Sequence, residues 1–147
     1  MLGVFLDRDS AVEHRDGRLA LSALLPCVDV LSLHCPLTPE TYQPISAPEP
    51  ALMRHDAVLI NTARGGLADE NALANALHQG ALAGAGIDVP STAPPVAGNP
   101  LPAADSPNLI ITPHSARGSC ESRPRLAGQP VENIHHYLDG APTRVVH

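Results

Sequence analysis

Five short apolar runs constrain this chain more than any other feature: GVFLD (3–7), VDVLSLH (28–34), AVLIN (57–61), GAGID (84–88) and NLIIT (108–112). They are mostly continuous in polarity and too short for helices, which is the pattern of strands covered on both faces. Helical patterns separate them: residues 22–27 with Ser22 as a candidate N-cap, residues 50–54, and most clearly residues 68–78. In the last of these, Leu73, Ala76 and Leu77 recur at helical spacing. Asp69 and Glu70 stand in its first turn and Gly80 follows its end, as the helix dipole and C-cap preferences require. Strands alternating with helices predict parallel strands joined by right-handed crossovers, an α/β fold with a doubly wound parallel sheet.

Length and composition limit what that sheet can serve. At 147 residues the chain supports one cored domain, read as spanning residues 1–147, and is too short to expect two. Hydrophobic residues at 44% and charged residues at 16% give a globular composition, not a disordered one. A net charge of -6 and singly scattered basic residues argue against a nucleic-acid partner. No apolar run approaches the ~20 residues of a membrane span, and Met1 is not followed by a leader pattern, so no membrane partner and a cytoplasmic location are expected. Cys27, Cys35 and Cys120 are odd in number and widely spaced, which fits reduced thiols. Cys35 adjoins His34, yet neither Cys-x-x-Cys nor His-x-x-x-His spacing occurs, so no metal is expected. The stretch STAPPVAGNPLP (91–102) reads as an irregular proline-rich loop.

Ligands of open parallel sheets sit beyond the carboxyl ends of the strands, and there the sequence places Asp7, His34, Arg64, Asp88 and His114. Arg64 follows its strand in a loop where Gly65 and Gly66 allow close backbone approach. A guanidinium there can grip a carboxylate bidentately. The alternative is an arginine that caps carbonyls or pairs with Asp69 at the surface. His114 follows a Thr-Pro that ends its strand, and a histidine so placed can exchange a proton near neutral pH. The alternative for it is an ordinary hydrogen-bonded loop histidine.

Four motifs then occur in order: SLHCPLTPET (32–41), LINTARGGLADENALANAL (59–77), GAGIDV (84–89) and NLIITPHSA (108–116). Together they resemble the nucleotide-binding domain of the D-isomer-specific 2-hydroxyacid dehydrogenases, the family of glycerate, phosphoglycerate, lactate and formate dehydrogenases. The resemblance covers nearly the whole chain and implies a Rossmann-like sheet, NAD as cofactor and a small 2-hydroxy or 2-keto acid as substrate. It implies that Arg64 holds the substrate carboxylate and polarises the reacting carbonyl. His114 would be the acid/base that exchanges a proton with the substrate oxygen as hydride moves to or from nicotinamide. Asp88 would contact the nicotinamide end of the cofactor and Asp7 the adenosine ribose, with His34, Cys35, Pro36, Thr62 and Ala63 along the cofactor cleft. An acid at Asp7 favours NAD over NADP, against the influence of neighbouring Arg8.

The departures from the family pattern set further expectations. The family pairs its histidine with a glutamate in Asp-Val-x-x-x-Glu-Pro-Pro; here residues 88–95 read DVPSTAPP, with Ala93 at the acid's place. Without a carboxylate on its far nitrogen, His114 should be less basic and less well oriented; Asp105 and Glu121 are the nearby candidates to replace it. No G-x-G-x-x-G occurs, and the chain starts just before GVFLD. The expectation is therefore a sheet lacking its first strand and phosphate loop, exposed edges on the strands at 3–7 and 28–34, and no substrate domain. Pro44, Pro48, Pro124 and Pro130 crowd segments where the family has helices, and only Pro50 and Pro124 suit a helix start. Two functions remain: the cofactor domain of a 2-hydroxyacid oxidoreductase, read as a partial chain or as one that needs a second copy or a related subunit and is impaired alone, or a non-catalytic remnant that at best binds nucleotide or a related chain.

Overall fold

The computed structural model describes residues 19–92, 99–103 and 108–145. The run at 3–7 with Asp7, and the positions of Ala93 and Asp105, lie outside the described residues. The chain divides into two compact units after His114.

The first unit is built on four parallel strands, β1 (Val30–Leu33), β2 (Val58–Asn61), β3 (Gly84–Ile87) and β4 (Leu109–Ile111), side by side in chain order. This is the expected Rossmann-like α/β class, with each strand trimmed by one to three residues from its apolar run. Helices α1 (Leu21–Leu24), α2 (Glu49–Leu52), α3 (Glu70–His78) and α4 (Pro100–Ala103) precede or connect the strands.

Side chains alternate across a strand, and here the alternation decides where the core lies. Leu31, Leu33, Leu59, Ala85 and Ile87 share one face and pack in a single apolar cluster with Leu25, Met53, Leu73, Leu77, Leu82 and Leu101. On the other face, Val30 at one edge is 58% exposed and Ile110 at the other edge is 68% exposed. The continuous apolar runs predicted cover on both faces. Among the described residues one face is buried deeply and the other only in part, its edge residues Val30 and Ile110 being left open.

Helix α3 shows why its sequence folds as it does. Asp69 stands at its N-cap and its Oδ1 accepts the backbone N–H of Asn71 and Ala72. Leu73, Ala74, Ala76 and Leu77 are buried at helical spacing. Gly80 adopts φ 69°, and the N–H groups of Gly80 and Ala81 donate back to the carbonyls of Leu77 and Ala76, closing a Schellman cap. The helix begins two residues later than its apolar pattern, because Ala68 is extended and bridges to Ile45.

Three helical expectations need correction. At α1 the cap position is Ala20, with no side-chain cap, and not Ser22; the segment tightens into a 3₁₀ turn over Leu25–Cys27, where Pro26 cannot supply a helical N–H. The proline-rich loop ends in α4, whose Leu101 N–H is capped by the Asn99 side chain at 3.0 Å while Leu101 itself is buried in the core. In the second unit, α5 (Ser122–Leu138) runs on through Pro130. An interior proline removes one backbone bond, and here the carbonyl that loses its partner belongs to Leu126, at an exposed position.

Candidate functional site

The register of the sheet sets the site. Leu33, Asn61, Ile87 and Ile111 stand opposite one another as the last paired residues of their strands. The residues that follow them, His34, Thr62, Asp88 and Thr112, therefore leave the sheet as one row at its carboxyl edge. The Asp88 N–H donates to the Asn61 carbonyl and the Thr112 N–H to the Ile87 carbonyl, each at 3.0 Å, so the row is tied edge to edge.

Arg64 projects from the loop beyond β2. Its side chain is exposed, and its Nη1 donates to the Ala63 carbonyl at 2.6 Å. Among the described residues no carboxylate pairs with it, and Asp69, the proposed surface partner, is occupied in capping α3. The loop is held from three sides. From below, the Asn61 side chain donates to the Arg64 carbonyl at 2.9 Å and accepts the Ala63 N–H at 3.1 Å. Upstream, the Gln43 N–H donates to the Gly66 carbonyl and the Asp69 N–H to the Ile45 carbonyl, both at 2.8 Å. Beside it, the residues after β3 come so close to Gly65 that a Cβ there would stand 2.5 Å from Pro90 C and Ser91 N. Glycine is required by space, not by dihedral angle.

Glu70, in the first turn of α3, holds that neighbouring segment. Its carboxylate accepts the Ser91 N–H and the Ser91 hydroxyl, each at 2.6 Å, and the Asn99 side chain at 3.0 Å. One carboxylate thus ties α3 to the loop that passes Arg64.

His114 stands at the end of β4 with φ 51°, a left-handed backbone conformation uncommon for a side chain beyond glycine. Asp88 stabilises it: the His114 N–H donates to Asp88 Oδ1 at 3.0 Å, and the Thr112 hydroxyl donates to the same oxygen. The imidazole is exposed. Asp88 and His114 are thereby brought together across two strands.

At β1, His34 Nε2 shares a hydrogen bond of 2.8 Å with the Ser32 hydroxyl. Cys35 is half-buried and packs against the core, and its burial pushes the thiol up from its ordinary range. The Pro36 carbonyl accepts the Thr41 hydroxyl at 2.6 Å, which folds residues 36–41 into a compact turn. Thr62 is exposed and Ala63 half-buried against the core, so the strand end between β1 and β3 carries only small side chains. Of the replacements considered for the missing glutamate, Glu121 lies in the second unit beside the start of α5.

Three residues of this edge went unread in the sequence: Asn61, Glu70 and Thr112. The signal for Asn61 is a polar residue closing an otherwise apolar strand; in the sequence Glu70 shows only as a charge in a first turn. Among the described residues no cluster of histidine, cysteine and carboxylate side chains could hold a metal ion, and no helix is long and apolar enough to cross a membrane.

Comparison with known proteins adds to this geometry. Residues 4–116 match the model of the D-isomer specific 2-hydroxyacid dehydrogenase, NAD binding domain. The chain is 48% identical over 132 residues to a glycerate dehydrogenase of Methylorubrum extorquens, covering 90% of this chain and 42% of that protein. A crystal structure of a Thermus thermophilus protein superposes with a TM-score of 0.75 at 41% identity, over 92% of this chain and 44% of the other. The NAD-complexed form of a D-isomer specific 2-hydroxyacid dehydrogenase from Lactobacillus delbrueckii ssp. bulgaricus superposes with a TM-score of 0.73 at 28% identity, over 91% of this chain and 45% of the other. The chain spans less than half the length of each of these relatives.

Proposed function

Because the chain belongs to the D-isomer specific 2-hydroxyacid dehydrogenase family and carries its NAD-binding domain, we propose that it binds NAD along the carboxyl edge of its sheet and presents Arg64 and His114 to a small 2-hydroxy or 2-keto acid. The observation that carries this reading is the unpaired Arg64. A guanidinium on a fixed loop with no internal carboxylate among the described residues is matched to a ligand carboxylate, which it meets with two parallel donors.

The residues along the edge fit a dinucleotide. Thr62 and Ala63 keep the centre of the edge shallow, and Cys35, half-buried against the core, offers an apolar contact with His34 and Pro36 beside it. Asp88 has Oδ1 committed to Thr112 and His114 and reaches the nicotinamide end through Oδ2. Asp7 is proposed for the adenosine ribose. When bound, the nicotinamide supplies or accepts the hydride. Arg64 then orients the acid and polarises its carbonyl, and the His114 imidazole takes the proton of the 2-hydroxyl in one direction and returns it in the other. The three free thiols suit a reducing, cytoplasmic setting, and a second copy or a related subunit is the expected protein partner.

A second reading is favoured by Ala93, which stands where the family places the glutamate that pairs with its histidine. On that reading the chain binds nucleotide but turns over little or nothing by itself. A thermal melt of the full chain followed by circular dichroism, with and without millimolar NADH, tests both. A cooperative transition that moves upward with NADH supports the proposal, since a ligand that binds only the folded state stabilises it by mass action. A transition that NADH leaves unmoved defeats it. Oxidation of NADH on adding glyoxylate or hydroxypyruvate separates the enzyme from the non-catalytic member.

A further inference from the structure

We propose that Asn61 is the positioning residue for Arg64, fixing the backbone from which the guanidinium reaches an incoming carboxylate. The inference rests on the reading of Arg64 as the carboxylate-binding group and deepens it.

Asn61 is an anomaly on its strand. It is 1% exposed and points to the same face as Leu31, Leu59 and Ile87, in the row that forms the core. A buried primary amide without partners is strongly disfavoured, and an apolar residue would fill this place at lower cost if the strand end were its only duty. Instead both ends of the amide are used on one short segment. Nδ2 donates to the Arg64 carbonyl at 2.9 Å and Oδ1 accepts the Ala63 N–H at 3.1 Å. The Arg64 carbonyl takes a second bond from the Leu67 N–H at 3.1 Å. Its carbonyl is held inward by two donors on an extended backbone, φ -149° and ψ 138°, while its side chain runs outward: the guanidinium is exposed and, among the described residues, its one hydrogen bond goes to the preceding carbonyl. That single contact is readily exchanged for a stronger, charge-assisted one. Asn61 therefore supplies the rigidity that a salt bridge would otherwise give, while leaving the charge unspent.

The test titrates oxamate, as the carboxylate probe, into the full chain held with saturating NADH. It compares the unmutated protein with Arg64→Gln, Asn61→Asp and Asn61→Ala. Arg64→Gln is expected to abolish oxamate binding and keep NADH binding. Asn61→Ala removes both bonds of the clamp and is expected to weaken oxamate at least about tenfold, the scale of one to two lost hydrogen bonds, and to leave NADH affinity unchanged. Asn61→Asp, which keeps the acceptor for Ala63 but sets an oxygen against the Arg64 carbonyl, should weaken oxamate at least as much. A residue that merely held the fold together would lower oxamate and NADH affinity together. If Arg64→Gln loses oxamate while both Asn61 variants keep it, the role of Asn61 is overturned and the reading of Arg64 survives. If the unmutated chain binds no oxamate, or Arg64→Gln binds it normally, the reading of Arg64 falls and takes this inference with it. Amide hydrogen exchange of the unmutated chain checks the clamp without any variant: slow exchange at Ala63 is expected, and free exchange there overturns the proposal.

Discussion

Two arginines flank β2 and share a surface setting, yet they are treated in opposite ways. Arg54, before the strand, is gripped by Asp56 as a fork, Nε to Oδ1 at 2.9 Å and Nη2 to Oδ2 at 2.8 Å, with Asp29 a further 3.5 Å contact. Arg64, after the strand, meets no carboxylate among the described residues, and its order comes from the backbone beneath it. At the amino edge of the sheet the charge is consumed inside the protein and the surrounding turn is ordinary. At the carboxyl edge the charge is left open, and the loop is fixed by neutral means or by bonds that bypass the guanidinium: an amide clamp, a glycine contact and the Glu70 bridge. A pair that satisfies itself has nothing left for a ligand. The contrast says which arginine is structural and which is available.

The contrast breaks most readily at Gly65. In Gly65→Ala the new Cβ meets Pro90 C and Ser91 N at 2.5 Å, and both are backbone atoms that cannot turn aside. Overpacking of this kind costs about 2–3 kcal/mol, which lowers the melting temperature of a domain this size by about 5–10 °C. Gly118→Ala, whose Cβ would meet nothing within 4 Å, is the control and should melt as the parent does. Equal melting of the two variants would mean that the loop after β2 is not packed as described. Glu70→Gln should cost less, about 1–2 kcal/mol, because it weakens charge-assisted bonds to Ser91 and Asn99 without a clash. Its signature is faster amide exchange at Ser91, with the Asp69-capped start of α3 unaffected; unchanged exchange at Ser91 would remove Glu70 from the loop's support.

Much of this edge was legible in the sequence because strands report themselves locally. Four apolar runs became four parallel strands in chain order, and the polar residues at their ends came out on one side, since parallel connection puts every carboxyl terminus at the same edge. Gly80 was legible too, because a C-cap depends on the few residues before it. What escaped were the contacts that join segments far apart in the chain. Glu70 meets Ser91 across 21 residues and Asp88 meets His114 across 26, and no local pattern marks such partners. Cover on the second face was overestimated for a related reason: a run of apolar residues states what tolerates burial, not what arrives to provide it. Pro130 was misjudged because propensity speaks of the isolated helix, whereas seventeen residues of α5 tolerate one lost bond at an exposed turn.

The smallest effect sharpens the comparison from the amino edge. The hydrogen bond from Arg54, reinforced by its charge, holds the Asp56 carboxyl well below its ordinary value, at about 2. A carboxylate depressed on folding stabilises the protein above its unfolded pKa, and that contribution is lost as the pH falls toward 2. Both side chains are about half exposed, at 52% and 51%, so water and salt screen the pair and its effect on stability near neutral pH is slight. Arg54→Gln should therefore leave the melting temperature and any oxamate or NADH affinity unchanged, while a carboxyl NMR titration shows Asp56 returning to the ordinary aspartate range. If Arg54→Gln instead weakened oxamate as Arg64→Gln is expected to, the two arginines would not be functionally distinct. If Asp56 stayed near 2, the fork would not be the cause of its acidity, and the self-satisfied end of the comparison would have to be redrawn around the backbone hydrogen bond to Asp56 and the charge of His55, the other groups that lower it.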